Sequence, residues 1–315
     1  MKIIVTGGAG FIGSHIVDGL VQMGHQVKVI DNLSNGQLAN LNDALGQIEM
    51  VEGDVRDLDM LQKEFAGFDF VLHQAGIGSV AHSVDNPLNI HQNNTVGTLN
   101  VLVAARDNHI KRVVYASSCS IYGDGADVVK SETSAAQPLS PYALGKYTAE
   151  LYCRLFYQLY GLETISLRYF NVFGPRQPLS GPYAAVIPKF IVDMLSGKPP
   201  VIYGDGEQSR DFVYVEDVVR ANLLALSVEV GRGDVMNVAS GLDCTLNQLA
   251  QEINQNLGQQ VRPIYQPARP GDIRRSRADI TKARAILGYQ PQTPLSLGLQ
   301  HTIAWHQDQA MAISS

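Results

Sequence analysis

Gly7-Gly8-Ala9-Gly10-Phe11-Ile12-Gly13 is the stretch that decides the fold. It follows the β-branched run Lys2–Thr6 and opens the amphipathic segment Ser14–Met23. A strand, a glycine turn and a helix in that order begin a dinucleotide-binding βαβ unit. The turn needs glycine because the backbone reaches positive φ and because a pyrophosphate must approach bare main chain. The helix start then supplies N–H donors and the positive end of a helix dipole. Asp31 ends the next β-rich run, Gln26–Ile30, about 20 residues past the last glycine. A carboxylate there accepts hydrogen bonds from an adenosine ribose and repels a 2′-phosphate. The pattern therefore predicts NAD rather than NADP.

Working outward, strand-like runs recur at Ile48–Glu52, Phe68–Leu72, Arg112–Ala116 and Glu163–Arg168. Helical stretches Asp59–Phe65, Asn89–Asn108 and Tyr142–Tyr160 lie between them. The strand runs are nearly continuous in apolar residues, as strands covered on both faces must be. The alternation predicts an α/β fold with a doubly wound, parallel, Rossmann-type sheet. From Asn171 onward the texture changes, with Gly174-Pro175, Gly181-Pro182, Pro199-Pro200 and Pro270-Gly271 breaking the chain into shorter elements. The expected organisation is a cofactor-binding domain over residues 1–170 and a smaller α/β substrate domain over 171–315. Segments Asp211–Val215 and Asp234–Val238, within residues 211–239, are candidates to return to the first sheet.

Composition excludes several classes. The 315 residues are 45% hydrophobic and 17% charged, which suits a globular chain with a large core. A net charge of −6 with no basic block makes the chain a poor candidate for binding nucleic acid or an anionic membrane, and neither is expected. No run of residues reaches the roughly 18 apolar positions of a membrane span. The N-terminus runs directly into strand sequence, so a cytoplasmic protein is expected. Cys119, Cys153 and Cys244 are odd in number and far apart, unlike a disulfide framework or a zinc site. The eight histidines show no metal-ligand spacing, and no metal is expected.

A second constellation carries chemistry. Ser117-Ser118-Cys119-Ser120-Ile121-Tyr122-Gly123 follows the fifth strand run, and ligands of doubly wound sheets sit beyond strand carboxyl ends. Pro141 then starts a helix bearing Tyr142 and Lys146, four apart and so on one face. A lysine ammonium beside a tyrosine favours the phenolate and lowers a pKa of about 10. Such a tyrosine can take a proton from a sugar hydroxyl while hydride leaves for nicotinamide, with Ser118 holding the same hydroxyl.

These motifs together resemble the extended short-chain dehydrogenase/reductase family. Later segments resemble its NAD-dependent nucleotide-sugar 4-epimerases, of the UDP-glucose and UDP-N-acetylglucosamine type. The segments are Leu167–Gln177, Tyr183–Lys189, Gly204–Val215 and Arg269-Pro270-Gly271-Asp272. The likeness runs in order from Lys2 to about Gly298. It implies that Gly7, Gly10, Phe11, Ile12 and Gly13 wrap the pyrophosphate. Asp31, Asn32, Ser34, Asn35 and Gly36 would hold the adenosine ribose, with Asp54 and Val55 flanking adenine. Gln74, Ala75, Gly76 and Ser117 would line the cofactor path, with Asn94 behind it and Tyr169 and Phe170 near nicotinamide. It makes Ser118, Tyr142 and Lys146 catalytic. It assigns Ser83, Ser120, Asn171, Val186, Lys189, Arg210, Arg269, Asp272 and Ser276 to a UDP-sugar, and the guanidinium fork of the arginines suits a diphosphate. A homodimer is implied through helices Asn89–Asn108 and Tyr142–Tyr160, although their apolar faces could equally be core.

The chain also departs from its relatives. Gly78 stands where some carry a cofactor-binding lysine, and Cys119 sits inside the catalytic loop, where a small buried filler is the simpler reading. Ser118-Cys119-Ser120 lacks the Thr-Asp-Glu of the sugar dehydratases, which argues against dehydration. Epimerases confined to unsubstituted UDP-glucose carry tyrosine where Ser276 falls, so a small residue there leaves room for a C2 acetamido group. Two other readings remain open at this point. One is a UDP-glucuronate 4-epimerase or decarboxylase, with His82 or Arg176 meeting the carboxylate. The other is a non-catalytic NAD-binding protein, against which the intact Tyr142 and Lys146 speak.

Overall fold

The computed structural model describes residues 1–179, 185–268 and 274–314. Its first element is β1 (Lys2–Thr6), whose Ile3-Ile4-Val5 run is buried on both faces. Then come α1 (Phe11–Gln22), β2 (Gln26–Asp31), β3 (Ile48–Glu52), α2 (Leu58–Glu64) and β4 (Phe70–His73). The short helices α3 (Val80–Asp85) and α4 (Pro87–Ile90) precede a π-helical turn (His91–Val96) that runs into α5 (Gly97–Asp107). The strands β5 (Arg112–Ser118) and β6 (Val129–Lys130), the helix α6 (Pro141–Tyr160) and β7 (Glu163–Tyr169) follow. The remaining chain holds β8 (Asn171–Phe173), α7 (Val186–Leu195), β9 (Val201–Tyr203), β10 (Ser209–Arg210), β11 (Phe212–Tyr214), α8 (Val215–Ser227) and β12 (Asp234–Val238). It ends with β13 (Cys244–Thr245), α9 (Leu246–Leu257), β14 (Ile264–Gln266), β15 (Arg275–Ala278), α10 (Thr281–Leu287) and α11 (Leu295–Ser314). No helix among the described residues is long and apolar enough to cross a membrane.

Seven strands form one parallel sheet in the order β12-β7-β5-β4-β1-β2-β3. This is the doubly wound Rossmann-type α/β fold expected from the sequence. The chain winds one way from β1 through β2 to β3, and the other way from β4 outward. The reversal falls between β1 and β4, and crevices that hold ligands open at such a switch point. A smaller four-stranded sheet (β13-β10-β15-β6) and two strand pairs (β8 with β11, β9 with β14) lie apart from it. A separate apolar cluster holds this region together, with Phe190 and Ile191 of α7, Leu249 and Ile253 of α9, and Leu299 and Ile303 of α11.

Two elements differ from the sequence reading. The expected helix Asn89–Asn108 is interrupted by the π-helical turn, where Asn93 and Asn94 spend their side chains on neighbouring backbone. Such turns re-aim side chains within a helix. Of the two candidate return segments, Asp234–Val238 lies parallel to β7 as the edge strand. Phe212–Tyr214 instead pairs with β8, because the rings of Phe212 and Tyr214 pack edge-on against Phe173 in the second cluster.

Local signals explain the helix that matters most. Ser140 caps α6 by accepting the Ala143 N–H at 3.1 Å, and Pro141 occupies the first turn. Gly161 closes the helix in the left-handed region with φ 72°. At Gly13 the constraint is contact rather than conformation. A Cβ on Gly13 would lie 2.1 Å from the Gly7 carbonyl oxygen. Gly13→Ala, normally favourable inside a helix, should therefore destabilise the protein by about 2 kcal/mol or more in urea unfolding. An unchanged midpoint would show that α1 need not approach β1 so closely.

Candidate active site at the switch point

A cavity of about 580 Å³ opens at this crevice. The glycine turn forms one wall. Gly10 is the N-cap of α1 and carries no side chain to cover the helix end, and no acidic residue sits in the first turn. The first-turn N–H groups have no intrahelical acceptor. Those of Phe11, Ile12 and Gly13 belong to residues lining the cavity. A bare, positively polarised helix end beside glycines fits a pyrophosphate. Gly7 has φ 70°, and a Cβ there would meet the Ala75 backbone nitrogen at 2.6 Å, so β1 and the segment after β4 touch at the crevice floor.

The second wall is the end of β2. Asp31 is buried, accepting the Ala9 N–H at 2.9 Å and the Leu33 N–H at 2.8 Å. Burial raises its pKa against those bonds. The carboxylate thus ties the glycine turn to the β2 loop, and it lines the cavity with Asn32, Ser34, Asn35 and Gly36. Val55 lines it too, but Asp54 does not. The Asp54 carboxylate is bound by Arg56 and Asn32, which hold it well below the usual carboxylate range. The chain after β4 supplies Gln74, Ala75 and Gly76. Asn94 stands behind them, its amide bonded to both the N–H and the C=O of Ile77 at 2.8 and 3.0 Å.

The deep end gathers Ser117, Ser118, Tyr142, Lys146, Tyr169 and Phe170 around the carboxyl ends of β5 and β7. Ser118 ends β5, and Tyr142 and Lys146 share one face of α6. Burial pushes the Tyr142 phenol up to about 12, with the Ser118 hydroxyl pulling it back. Burial pushes Lys146 down to about 8, with Glu150 acting the other way. The Lys146 Nζ donates to the Ala116 carbonyl at 2.7 Å. The i,i+4 spacing therefore does not by itself lower the phenol, as the sequence reading expected. The ammonium is turned to the strand, and desolvation dominates at Tyr142.

Among the described residues, the other expected contacts lie outside this cavity. Ser83 is fully buried, with its hydroxyl bonded to the Val80 carbonyl. The Ser120 Oγ is buried without a hydrogen-bond partner among the described residues. The Asn171 amide donates to the Asp211 carbonyl at 3.1 Å. Val186 and Lys189 begin α7, while Arg210 and Ser276 face each other across the β10–β15 pairing. Arg269 and Asp272 fall outside the described residues. Several lining residues were given no role from the sequence, among them Ile77, Asn93, Gln177 and Pro178, while Gly78, where some relatives carry a cofactor-binding lysine, lines the cavity as well. Asn93 could not be found without the π-helical turn. Gln177 and Pro178 reach the rim because Arg176, at φ 65°, pairs with Asp18 at 2.7 Å, while His15 bonds the Pro175 carbonyl at 3.0 Å.

Comparisons with known proteins agree with this geometry. The family model described as "NAD dependent epimerase/dehydratase family" matches residues 3–239. A putative UDP-glucose 4-epimerase of Methanocaldococcus jannaschii is 41% identical over 96% of this chain and 97% of its own. The crystal structure of a UDP-N-acetylglucosamine 4-epimerase from Methanobrevibacter ruminantium, in complex with UDP-N-acetylmuramic acid, superposes with TM-score 0.94 at 42% identity, covering 98% of both chains. That of a UDP-glucose 4-epimerase from Thermotoga maritima, with UDP-glucose, gives 0.93 at 40% identity, covering 98% of this chain and 100% of that one. The bare helix end, the glycine contacts and Asp31 suit NAD as the cofactor. This chain is an enzyme of the NAD-dependent epimerase/dehydratase family, with UDP-sugar 4-epimerases among its near relatives.

Proposed function

We propose that the protein interconverts the C4 epimers of a UDP-hexose through a 4-keto sugar. The observation that carries this reading is the meeting of Ser118, Tyr142 and Lys146 in the cavity that begins at the glycine turn. NAD supplies a reversible hydride acceptor when bound. Tyr142 takes the proton of the sugar 4-hydroxyl and, once the ketone has turned about its diphosphate link so that C4 offers its other face for reduction, returns that proton to the 4-oxygen. Ser118 holds the reacting oxygen, which fixes the distance to the phenol. A phenol at about 12 needs cations to ionise at neutral pH. The Lys146 ammonium, and the positive ring of the oxidised cofactor when it is bound, would supply that charge. Tyr142→Phe should keep fold and bound NAD but lose at least about 1,000-fold in kcat. The assay is a panel of UDP-glucose, UDP-N-acetylglucosamine, UDP-glucuronate and their C4 epimers, with products separated by chromatography. Near-normal turnover by the Phe variant would remove Tyr142 from the base role.

The glucuronate alternative needs a cation for the C6 carboxylate. Arg176 is already engaged by Asp18, and His82 lies 3.4 Å from the Asn89 amide. Neither observation favours an acidic sugar. Ser276 supports acceptance of N-acetylated hexoses. It is buried, on the face of β15 shared with Ala278, and its register partner is Arg210. A small residue permits a C2 acetamido group without requiring one, so UDP-glucose also turns over. Ser276→Tyr should cut turnover of UDP-N-acetylglucosamine about tenfold more than that of UDP-glucose. Equal losses, or none, would show that Ser276 is not the gate.

The working unit is a homodimer on this reading. Leu151, Leu155 and Leu159 recur every fourth residue along α6 and are all exposed, as is Leu88 of α4, a helix that packs beside α6. An apolar stripe of this kind suits an isologous contact with a second copy. Light scattering at micromolar concentration should give twice the chain mass of 34.3 kDa. A mass of one chain would sink the dimer.

A further inference from the structure

Behind the reacting groups lies a buried ion pair that no step above uses. Glu150 follows Lys146 by one turn of α6, and its side chain is sequestered from solvent. Its carboxylate takes Arg168 of β7 through two bonds, 2.9 Å from Nε and 2.7 Å from Nη2. Ser117 of β5 donates its hydroxyl to the same carboxylate. Ser117 and Arg168 are register partners on adjacent strands, so one carboxylate grips both strand ends. One residue before Ser117, the Ala116 carbonyl receives Lys146; one residue after it comes Ser118. The Arg168 guanidinium also stacks on the Tyr122 ring, 4.7 Å from its centroid, which limits its freedom.

We propose that Glu150 is a positioning residue for the reaction, bolting the helix that carries Tyr142 and Lys146 to the strand end that carries Ser118, and setting an anion behind the Lys146 ammonium. The proposal rests on the functional reading above only for its kinetic consequence. The geometric part stands on the contacts just given. A bidentate arginine fixes the plane of the carboxylate, and a buried pair left with one partner is costly, so the unit is rigid.

The groups around Lys146 single out Glu150 as its counter-charge. On its own helix are Tyr142, Glu150 and Cys153. From β5 comes Tyr115, with Nζ 5.0 Å from the ring centroid; from β4 comes His73, and from β7 Arg168. Burial drives Cys153 up to about 12, Tyr115 well above its ordinary value and His73 down to about 3. Those three are neutral between pH 7 and 9, and Tyr142 is a phenol there in the chain alone. Glu150 is left as the anion that sustains the ammonium.

The test compares Glu150→Gln, which keeps the shape and removes the charge, with Glu150→Asp, which keeps the charge on a shorter stem. The readout is the pH titration of Lys146 in holoprotein labelled with ¹³C at lysine Cε, the signal assigned by Lys146→Met. In the Gln variant the Lys146 midpoint should fall by about one pH unit, while the Asp variant stays close to wild type. The alkaline limb of kcat on UDP-hexoses should move with it. The Gln variant's kcat should fall at least about tenfold, with KM for the sugar nucleotide little changed. Should Glu150→Gln not fold, the double variant Glu150→Gln/Arg168→Met removes both charges, leaves no unpaired buried ion, and should show a smaller fall in the same direction, because the Arg168 cation is lost with the anion. An unmoved midpoint in the Gln and double variants, or an equal fall in the Asp variant, overturns the proposal. A shifted midpoint in an enzyme whose wild type turns over no UDP-hexose would leave Glu150 in place and overturn the functional reading instead.

Discussion

The contact between Gly13 and the Gly7 carbonyl governs much of the molecule. Because α1 starts against the end of β1, its first turn lies open at the sheet's switch point instead of being set back behind a side chain. The same approach brings Gly7 against Ala75, so the ends of β1 and β4 close the crevice floor with main chain alone. Asp31 then locks the turn from the far side through the Ala9 N–H. Three features commonly credited to ligand recognition thus have a prior structural task. The glycines let two backbones meet, and the aspartate satisfies backbone donors that burial would otherwise leave unpaired. An anion site follows from that packing, since a helix end held bare at a crevice is a positive surface.

Charge is handled differently at the two ends of the cavity. At the turn end the positive potential comes from peptide dipoles, and the titratable group there, Asp31, is tied down by N–H donors. At the β5–β7 end the charges are side chains buried in alternation: Lys146, then Glu150, then Arg168 over the Tyr122 ring. Tyr122 continues the chain of polar contacts, donating to Asn237 at 2.6 Å, whose amide reaches the Lys130 and Asp279 carbonyls. Strands of the main sheet and of the small sheet are therefore joined beneath the reacting groups by hydrogen bonds, not by apolar contact alone. Such a network resists sliding, because displacement of one member leaves a buried donor or acceptor unpaired.

Much of this was legible in the sequence, and the reasons are local. The glycine turn, the Pro141 start of α6 and the near-continuous apolar runs each report a backbone requirement that holds whatever the rest of the chain does. Strand order beyond the first unit, the pairing of Phe212–Tyr214 with β8 and the π-helical turn depend on contacts far apart in the chain, and no window of sequence contains them. The cavity lining divides in the same way. Gly10, Asp31 and Tyr142 sit at element ends that sequence reveals. Asn93 and Gln177 arrive through a helix irregularity and a loop latch. The pKa of Tyr142 was misjudged for a related reason: spacing along a helix states which side chains are neighbours, but not that Lys146 turns to Ala116 or that burial outweighs a nearby charge.

Under the epimerase reading substrate choice belongs to the smaller sheet, and one buried carboxylate explains how that sheet can vary without collapsing. Asp211 accepts the Ser240 N–H at 2.9 Å, the Ser240 hydroxyl at 2.7 Å, the Gly241 N–H at 3.0 Å and the Ala278 N–H at 3.1 Å. Its own carbonyl receives Asn171. Burial pushes this acid up to about 6 despite four donors, a sign of how far it is from solvent. The four bonds fix β15 against the loop after β12 at a point two residues from Ser276 and one from Arg210. With the backbone held there, a change at position 276 alters the size of a side chain while leaving the strand in register. Under the epimerase reading, sugar tolerance can then be tuned at Ser276 by volume alone. On the same reading the residues that move protons answer to a different proposed anchor, Glu150, which holds Ser117 and Arg168.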